Sequence, residues 1–368
     1  AAQNGVKGSV SGTSAMVMRR RPSYLRRMIT RRSLLSSLPF LAASGHALAQ
    51  PVPQAPARAE TLGLVLDRGR GLQPLKVVLV AREGEMLAER AFNGHAIDAS
   101  TNIKSASKSI ISAMVGIAVD KGLLQGPDQK IAPILESELP RDPDPRLREV
   151  TIGNLLSMQA GLARMSGPNY GRWVSSRNWV RFALSEPFDG EPGGQMLYST
   201  ASTHLLSAIL TRVGRKSTLA LAREWFAPVE GFRIGSWEQD PQGVYLGGNQ
   251  MAMTAASLLA FGEVFRNGGR AKDGMQVVSE DWIRRSWTPR TNSRFSGDGY
   301  GYGWFLRSIG GEEVKFGWGY GGQMLYIVPS LDLTVVMTSE ENSPSARTGY
   351  RDELHSLLAD IIGAVGAA

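Results

Sequence analysis

The sequence predicts an α+β fold in which one antiparallel sheet is built from both chain ends, is flanked by helices, and receives an inserted, mostly helical region. Strand patterns, rich in branched and aromatic residues, occur at 76–92 and return only at 302–338. Between about 125 and 270 the apolar residues recur mainly at helical spacing. Strands at both ends with helices between them favour a single sheet completed by the two termini.

The elements before the insert form a hairpin and a helix. Strands are predicted over 76–82 and 86–92, and the Glu-Gly-Glu turn between them predicts a hairpin. A helix is predicted over 104–121, because its apolar residues recur at helical spacing and Gly122 provides a stop.

The remaining elements follow in two groups. In the insert, helices are predicted at 151–157, 204–213 and 254–267. After it come three strands and a closing amphipathic helix, at 302–309, 324–328, 333–338 and 347–365. These elements divide the chain into four predicted parts: a signal region at 1–49, a linker at 50–58, a sheet domain at 59–124 and 271–368, and a helical insert domain at 125–270.

Composition excludes several classes of function. The 368 residues carry a formal charge of +8, from 41 Lys plus Arg against 33 Asp plus Glu. The first 49 residues hold eight basic and no acidic side chains, so the rest has 33 of each and lacks the basic surface that nucleic-acid binding needs. The absence of cysteine excludes disulfides, thiolate metal sites, iron–sulfur clusters and a cysteine nucleophile.

The basic excess lies in a segment that is typical of an export signal. Arg31 and Arg32 form a twin-arginine pair, an apolar run follows at 34–43, and Ala47-Leu48-Ala49 offers a cleavage site before Gln50. The apolar run is shorter than the roughly 20 residues that a permanent membrane span needs. The sequence therefore predicts a periplasmic or secreted protein exported by the twin-arginine route, with no permanent span.

One short motif carries chemistry. Ser105-Ala106-Ser107-Lys108 is a Ser-x-x-Lys, and Lys108 is the only one of nine lysines with a serine three positions earlier. That spacing on a helix puts both side chains on one face. A buried lysine loses proton affinity and can act as a base, and a serine at a helix start gains oxyanion stabilisation from free N–H groups. By itself the motif leaves open that Ser105 only caps the helix and Lys108 is solvated.

Three boxes in order make the sequence resemble the class C β-lactamase-like serine hydrolases of the penicillin-binding superfamily. The first box is residues 104–109, around the Ser-x-x-Lys. The second is Leu197-Tyr198-Ser199-Thr200, where the family has Tyr-x-Asn, and the third is Gly319-Tyr320-Gly321-Gly322-Gln323, where it has Lys-Thr-Gly. The branch with family VIII carboxylesterases and aminohexanoate-oligomer hydrolases is the most similar, and the resemblance implies a β-lactamase/transpeptidase-like fold.

The resemblance also implies roles for individual residues. Ser105 would be the nucleophile, Lys108 would hold or remove its proton, and Tyr198 would shuttle a proton between Ser105 and the leaving group. The backbone N–H groups of Ser105 and Gln323 would form the oxyanion hole. The implied substrate-binding residues are Thr200, Trp318, Tyr320, Gly321 and Gly322. No cofactor is implied, and the expected partner is a small-molecule ester or amide.

Two departures from the family bear on substrate. Tyr320 cannot supply the positive charge with which the third-box lysine helps to hold a substrate carboxylate, and Thr200 replaces an asparagine. Both favour a neutral ester or linear amide, although Lys315 is near enough in sequence to compensate. A β-lactamase or DD-peptidase remains an alternative, and so does a non-catalytic ligand-binding protein on the same scaffold. The oligomeric state is left open.

A metal centre is not expected. Beyond the signal region the histidines are His95, His204 and His355, which are scattered and show no ligand spacing. The pairs Gly247-Gly248 and Gly268-Gly269 lack the strand-to-helix setting of a phosphate-binding loop.

Overall fold

The computed structural model describes residues 55–345 and 347–366, so the predicted signal region lies outside the described residues. The helices are α1 Ala55–Asp67, α2 Ser107–Asp120, α3 Ile152–Leu156, α4 Tyr170–Val174, α5 Trp179–Leu184, α6 Thr200–Gly214, α7 Thr218–Trp225, α8 Ala255–Arg266, α9 Glu280–Ser286 and α10 Tyr350–Gly366. The strands are β1 Leu75–Arg82, β2 Glu85–Ala91, β3 Ser100–Asn102, β4 Ser236–Trp237, β5 Met251–Thr254, β6 Thr291–Asn292, β7 Gly299–Tyr300, β8 Phe305–Ile309, β9 Glu312–Gly319, β10 Gln323–Val328 and β11 Leu333–Ser339. None of the helices in this part of the chain is long and apolar enough to cross a membrane.

Both ends of the chain meet in one eight-stranded sheet. Its strand order is β2-β1-β11-β10-β9-β8-β7-β6, and the neighbours are antiparallel. The early strand β1 pairs directly with the late strand β11, with Leu79 opposite Val336. The predicted α+β class, with an antiparallel sheet built from both chain ends, is confirmed.

Helices cover both faces of this sheet. Along β1, Val78 and Val80 pack in a core with residues of α1 and α10, whereas Val77 and Leu79 pack in a second core with residues of α2 and α8. This explains why β1 is almost uniformly apolar instead of alternating, since a strand buried on both faces needs apolar residues at every position. Helix α8 lies within the predicted insert at 125–270, yet it packs on β11, β10 and β1.

Helix α2 is the element that positions the site. Every residue from 107 to 118 is buried, because α2 packs against both α6 and β9. Its serines find partners in a turn of the chain: Ser109 Oγ donates to Gly303 O at 2.7 Å, and Ser112 Oγ donates to Tyr302 O at 2.6 Å. The helix therefore has one fixed orientation between the sheet and the insert.

The structure differs from the predicted elements in several places. Strand β9 had no sequence prediction, because charged residues and glycines dilute its pattern. The predicted strand at 302–309 begins only at Phe305, since Gly303 adopts a positive φ of 78° in a turn. Helix α1 begins at Ala55, inside the predicted linker.

Candidate active site

Ser105 lies in a strained turn at the start of α2. Residues Lys104–Ala106 form a single 3-10 turn that leads into the helix at Ser107. Lys104 has a φ of 51°, in the left-handed region that a side chain disfavours. Two hydrogen bonds hold it there, from Lys104 N to Asn102 Oδ1 at 2.9 Å and from Ser107 Oγ to Lys104 O at 2.7 Å. Backbone strain of this kind tends to occur at functional sites.

Lys108 is buried next to Ser105. Its side chain is 1% exposed, and Nζ lies 3.0 Å from Ser105 Oγ, 2.7 Å from Gly248 O and 3.4 Å from Thr200 Oγ1. Among the described residues no carboxylate pairs with Lys108. Burial without a counter-charge therefore lowers the pKa of Lys108 from its ordinary 10.5 to about 7.

Tyr198 completes the group. Its phenol interacts with the Ser105 side chain, and Lys108 Nζ lies 5.1 Å from the centre of its ring. The ring stacks on Phe305 and meets Tyr300 edge-on, each at 6.3 Å between centroids. Burial raises the pKa of Tyr198 to about 12, although the interaction with Ser105 works in the opposite direction. The phenol therefore keeps its proton at neutral pH.

Two residues that contact this group, Ser166 and Gly248, were not predicted from the sequence. Thr200 N donates to Ser166 Oγ at 2.9 Å, and the two hydroxyls lie 3.1 Å apart, which fixes Thr200 beside Lys108. Ser166 stands in a loop with no motif around it. Gly248, which accepts from Lys108, belongs to a glycine pair that the sequence does show, but there it was only excluded as a phosphate-binding loop and was given no role.

The Gly247–Gly248 segment lies flush against the lysine. A Cβ on Gly247 would stand 2.1 Å from Thr203 O, and one on Gly248 would stand 2.7 Å from Lys108 Cγ. Gly248 also has a φ of 84°. Only glycine allows the backbone to approach Lys108 so closely.

The first residue of the third box, Gly319, lies beside the turn that carries Ser105. A Cβ on Gly319 would stand 2.2 Å from Ile103 O, so this end of β9 abuts the turn that carries Ser105. Gln323 opens β10 opposite Gly319 and is fully buried. Its side chain donates to Ser339 O at 2.8 Å and accepts from Ser339 N at 3.1 Å, which ties the hairpin to β11.

The other third-box residues have different surroundings. Gly321 and Gly322 have positive φ values of 87° and 97°, and a Cβ on either would meet Glu340 O or the Tyr350 ring. Tyr320, at the tip of the hairpin, is 51% exposed. Of these three residues, only Tyr320 offers a side chain to solvent.

Trp318 belongs to the aromatic cluster of Tyr198. It lies 5.6 Å from Phe305 between ring centroids, and its Nε1 donates to Ser345 Oγ at 3.3 Å. The guanidinium of Arg351 lies 5.0 Å from its ring. These three contacts fix the ring within the aromatic cluster.

Other candidate residues lie elsewhere. Lys315 Nζ is bonded to Glu313 Oε2 at 3.0 Å and lines a cleft with Trp287 and Pro289. The three histidines have separate partners, and no group of three metal-ligating side chains occurs in the described ranges.

Comparisons with known proteins identify the family and the fold. The model of the β-lactamase family matches residues 70–360. The 6-aminohexanoate-dimer hydrolase of Paenarthrobacter ureafaciens is 26% identical over an alignment of 297 residues, with coverage of 73% of this chain and 73% of its own. Among solved structures, the hydrolase EstCE1, described as having promiscuous acyltransferase activity, superposes with a TM-score of 0.67 at 18% identity over 84% of this chain and 99% of its own. The D-amino acid amidase of Ochrobactrum anthropi SV3 gives 0.66 at 16% identity, with coverage of 84% and 99%.

The two structural neighbours share the fold, whereas the family match spans the whole arrangement of Ser105, Lys108, Tyr198 and the β9–β10 hairpin. This chain is therefore a hydrolase that belongs to the β-lactamase family.

Proposed function

We propose that the protein is an exported serine hydrolase that forms an acyl-enzyme on Ser105 and hydrolyses esters or linear amides. The observation that carries this proposal is the buried Lys108 amine 3.0 Å from Ser105 Oγ, with the Tyr198 phenol interacting with the same side chain. A nucleophile next to a base that a third group orients is the arrangement of covalent acyl transfer. A protein that only binds a ligand has no need of it.

The contacts of Lys108 suit a base. A neutral amine has two N–H donors and one lone pair. Gly248 O and Thr200 Oγ1 accept the two N–H groups, which leaves the lone pair for the proton of Ser105. As that proton moves to Nζ, Ser105 Oγ bonds to the substrate carbonyl carbon and the carbonyl electron pair moves onto oxygen.

Tyr198 suits the next transfer. Its phenol is protonated at neutral pH and lies within interaction range of Ser105, so it can pass a proton to the leaving alcohol or amine as the carbon–heteroatom bond breaks. Water then attacks the acyl-enzyme by the reverse sequence of proton transfers. The oxyanion would be held by the N–H of Ser105 and an N–H of the β9–β10 hairpin, which the family resemblance assigns to Gln323. The contact of Gly319 with Ile103 supports a role for this hairpin.

The side chains around the site favour an uncharged acyl group. Tyr320 is neutral, and Lys315, the cation that might have compensated, is bonded to Glu313. The names of the relatives, an aminohexanoate-dimer hydrolase and an amino acid amidase, support linear amides as substrates beside esters. We propose export by the twin-arginine route from the sequence at 1–49.

The test is active-site labelling followed by a substrate panel. A fluorophosphonate should attach to Ser105, as shown by peptide mapping, and Ser105→Ala should be neither labelled nor active while keeping its circular dichroism spectrum. The panel contains p-nitrophenyl butyrate, a linear p-nitroanilide, nitrocefin and a D-Ala-D-Ala peptide. Label on another serine, together with an active Ser105→Ala, would refute the assignment, and preferred turnover of nitrocefin would identify a β-lactamase instead.

A further inference from the structure

A histidine and an aspartate form a buried pair in the insert, outside the group just described. His204 Nε2 lies 3.0 Å from Asp240 Oδ2, and both side chains are fully inaccessible to solvent. Trp173 and Trp179 flank the imidazole, with ring centroids at 5.5 and 5.6 Å. Burying such polar groups costs free energy unless each finds partners, so the partners show what the pair holds in place.

The pair fixes both ends of one loop. Asp240 Oδ1 accepts the N–H groups of Gln242 and Val244, each at 2.8 Å, which shapes the turn after Asp240. At the other end, Gly247 N donates to His204 Nδ1 at 3.4 Å. The two ring nitrogens have separate partners, with Nδ1 facing the Gly247 N–H and Nε2 facing Asp240 Oδ2. His204 thus bridges the start and the end of residues 240–247.

The residue that follows this loop, Gly248, contacts the proposed base, Lys108. Gly248 O accepts from Lys108 Nζ at 2.7 Å, the shortest of the three contacts of that amine. Thr200, which makes another of those contacts, lies one turn before His204 on α6. One helix therefore fixes two of the acceptors around Lys108, directly through Thr200 and through the loop by way of His204.

We propose that His204 and Asp240 are positioning residues that hold the Gly248 carbonyl against Lys108 and so aim the lone pair of the amine at Ser105. This inference rests on the proposed function. It gives His204 and Asp240, whose surroundings are those of ordinary core residues, a role in the rate of acylation. Displacing a reacting group by about 1 Å can cost up to about 100-fold in rate.

The experiment measures the rate at which a fluorophosphonate labels Ser105 in His204→Gln, whose side-chain amide cannot reach both Asp240 and Gly247. We expect labelling to slow by about 10-fold or more, and kcat for p-nitrophenyl butyrate to fall in parallel while KM stays within about twofold. In a Lys108→Ala background the same substitution should change the labelling rate less than about twofold, because the group it positions is gone. That non-additivity separates action through Lys108 from general loosening of the fold.

The matched control is His355→Phe. His355 is also a buried histidine, bonded through Nδ1 to Tyr326 Oη at 3.1 Å, but it lies in the core on the other face of the sheet. It should lower the melting temperature without changing the labelling rate beyond about twofold. Should His204→Gln not fold, Asp240→Asn, which replaces only one oxygen, decides by the same criteria.

The outcomes separate the two proposals. A wild-type protein that is not labelled at Ser105 would refute the proposed function itself. A labelled wild type with folded His204→Gln and Asp240→Asn variants that react at its rate would refute only the positioning role. Equal slowing with and without Lys108 would show that the pair acts on the fold and not on the base.

Discussion

Burial of Lys108 should make the free energy of unfolding depend on pH, and Lys108→Met should remove that dependence. The pKa of Lys108 is about 7 in the folded protein and 10.5 ordinarily. Between those values the unfolded chain binds a proton that the folded protein does not, so the free energy of unfolding rises with pH across this window. One pKa unit corresponds to 1.36 kcal/mol, and the lysine should therefore contribute a gain of about 4 kcal/mol between pH 6 and pH 10.

The measurement is urea unfolding of the wild type and Lys108→Met at pH 6, 8 and 10. Other titrating groups are common to both proteins, so the difference between the two free energies isolates Lys108. The variant should be favoured most at pH 6, where the wild type must fold with a buried ammonium. Its advantage should shrink by about 4 kcal/mol toward pH 10.

The pKa of Lys108 should also determine how the rate of Ser105 labelling depends on pH. Labelling of Ser105 should rise with a midpoint near pH 7, with about tenfold between pH 6 and pH 8, and level off above that. A rate that keeps climbing tenfold per unit up to pH 10 would show an ordinary lysine. A stability difference that does not change between pH 6 and 10 would equally refute the reasoning.

Three further changes test the remaining assignments. Tyr198→Phe keeps the ring against Phe305 but removes the shuttle, so kcat should fall about 10²- to 10⁴-fold with little change in melting temperature; an unchanged kcat would exclude the role. Tyr320→Lys should raise kcat/KM for nitrocefin by about 10-fold or more relative to p-nitrophenyl butyrate, with Tyr320→Phe as the control, because one charge-assisted contact contributes about 1.5–3 kcal/mol; no gain would show that the third-box position is not where a carboxylate sits. Replacing both Arg31 and Arg32 with Lys should leave the precursor inside a bacterial host, as measured by fractionation, and unchanged secretion would contradict the twin-arginine route.

The fold was predictable where periodicity was strong. The strands β1, β10 and β11 have nearly continuous apolar runs, and these runs identified a sheet built from both chain ends. The more polar strand β2 was identified through the turn that joins it to β1. Strand β9 was not predictable, because Gly317 and Gly319 lower its strand propensity. The structure shows why they are there: a Cβ on either would press on the turn around Ser105, at Ser109 Oγ or Ile103 O. Strand β9 therefore has residues of low strand propensity where its backbone approaches the segment that carries Ser105.

In the candidate site, sequence spacing predicted which side chains lie together at the start of one helix, but not which residues of distant segments contact them. Ser105 and Lys108 are three residues apart, so their proximity follows from helix geometry. Gly248 lies 140 residues from Lys108 in the chain and contributes only a carbonyl, which has no signature in a sequence. The contact of Ser166 with Thr200 could not be predicted either, since a serine in a loop can have many other roles.

A single physical cause underlies the complementary roles that we propose for Lys108 and Tyr198, the two side chains next to Ser105. Burial disfavours charge on either, so it lowers the pKa of Lys108 to about 7 and raises that of Tyr198 to about 12. At neutral pH both groups can therefore be uncharged, one as a base with a free lone pair and the other as an acid with a proton to give. In the mechanism that we propose, the first charges of the reaction then appear as Ser105 reacts: an ammonium on Lys108 and an oxyanion on the substrate. Gly248 O at 2.7 Å and the Tyr198 ring at 5.1 Å stand ready to stabilise that ammonium, so the contacts that fix the neutral amine also favour the state it reaches in acylation.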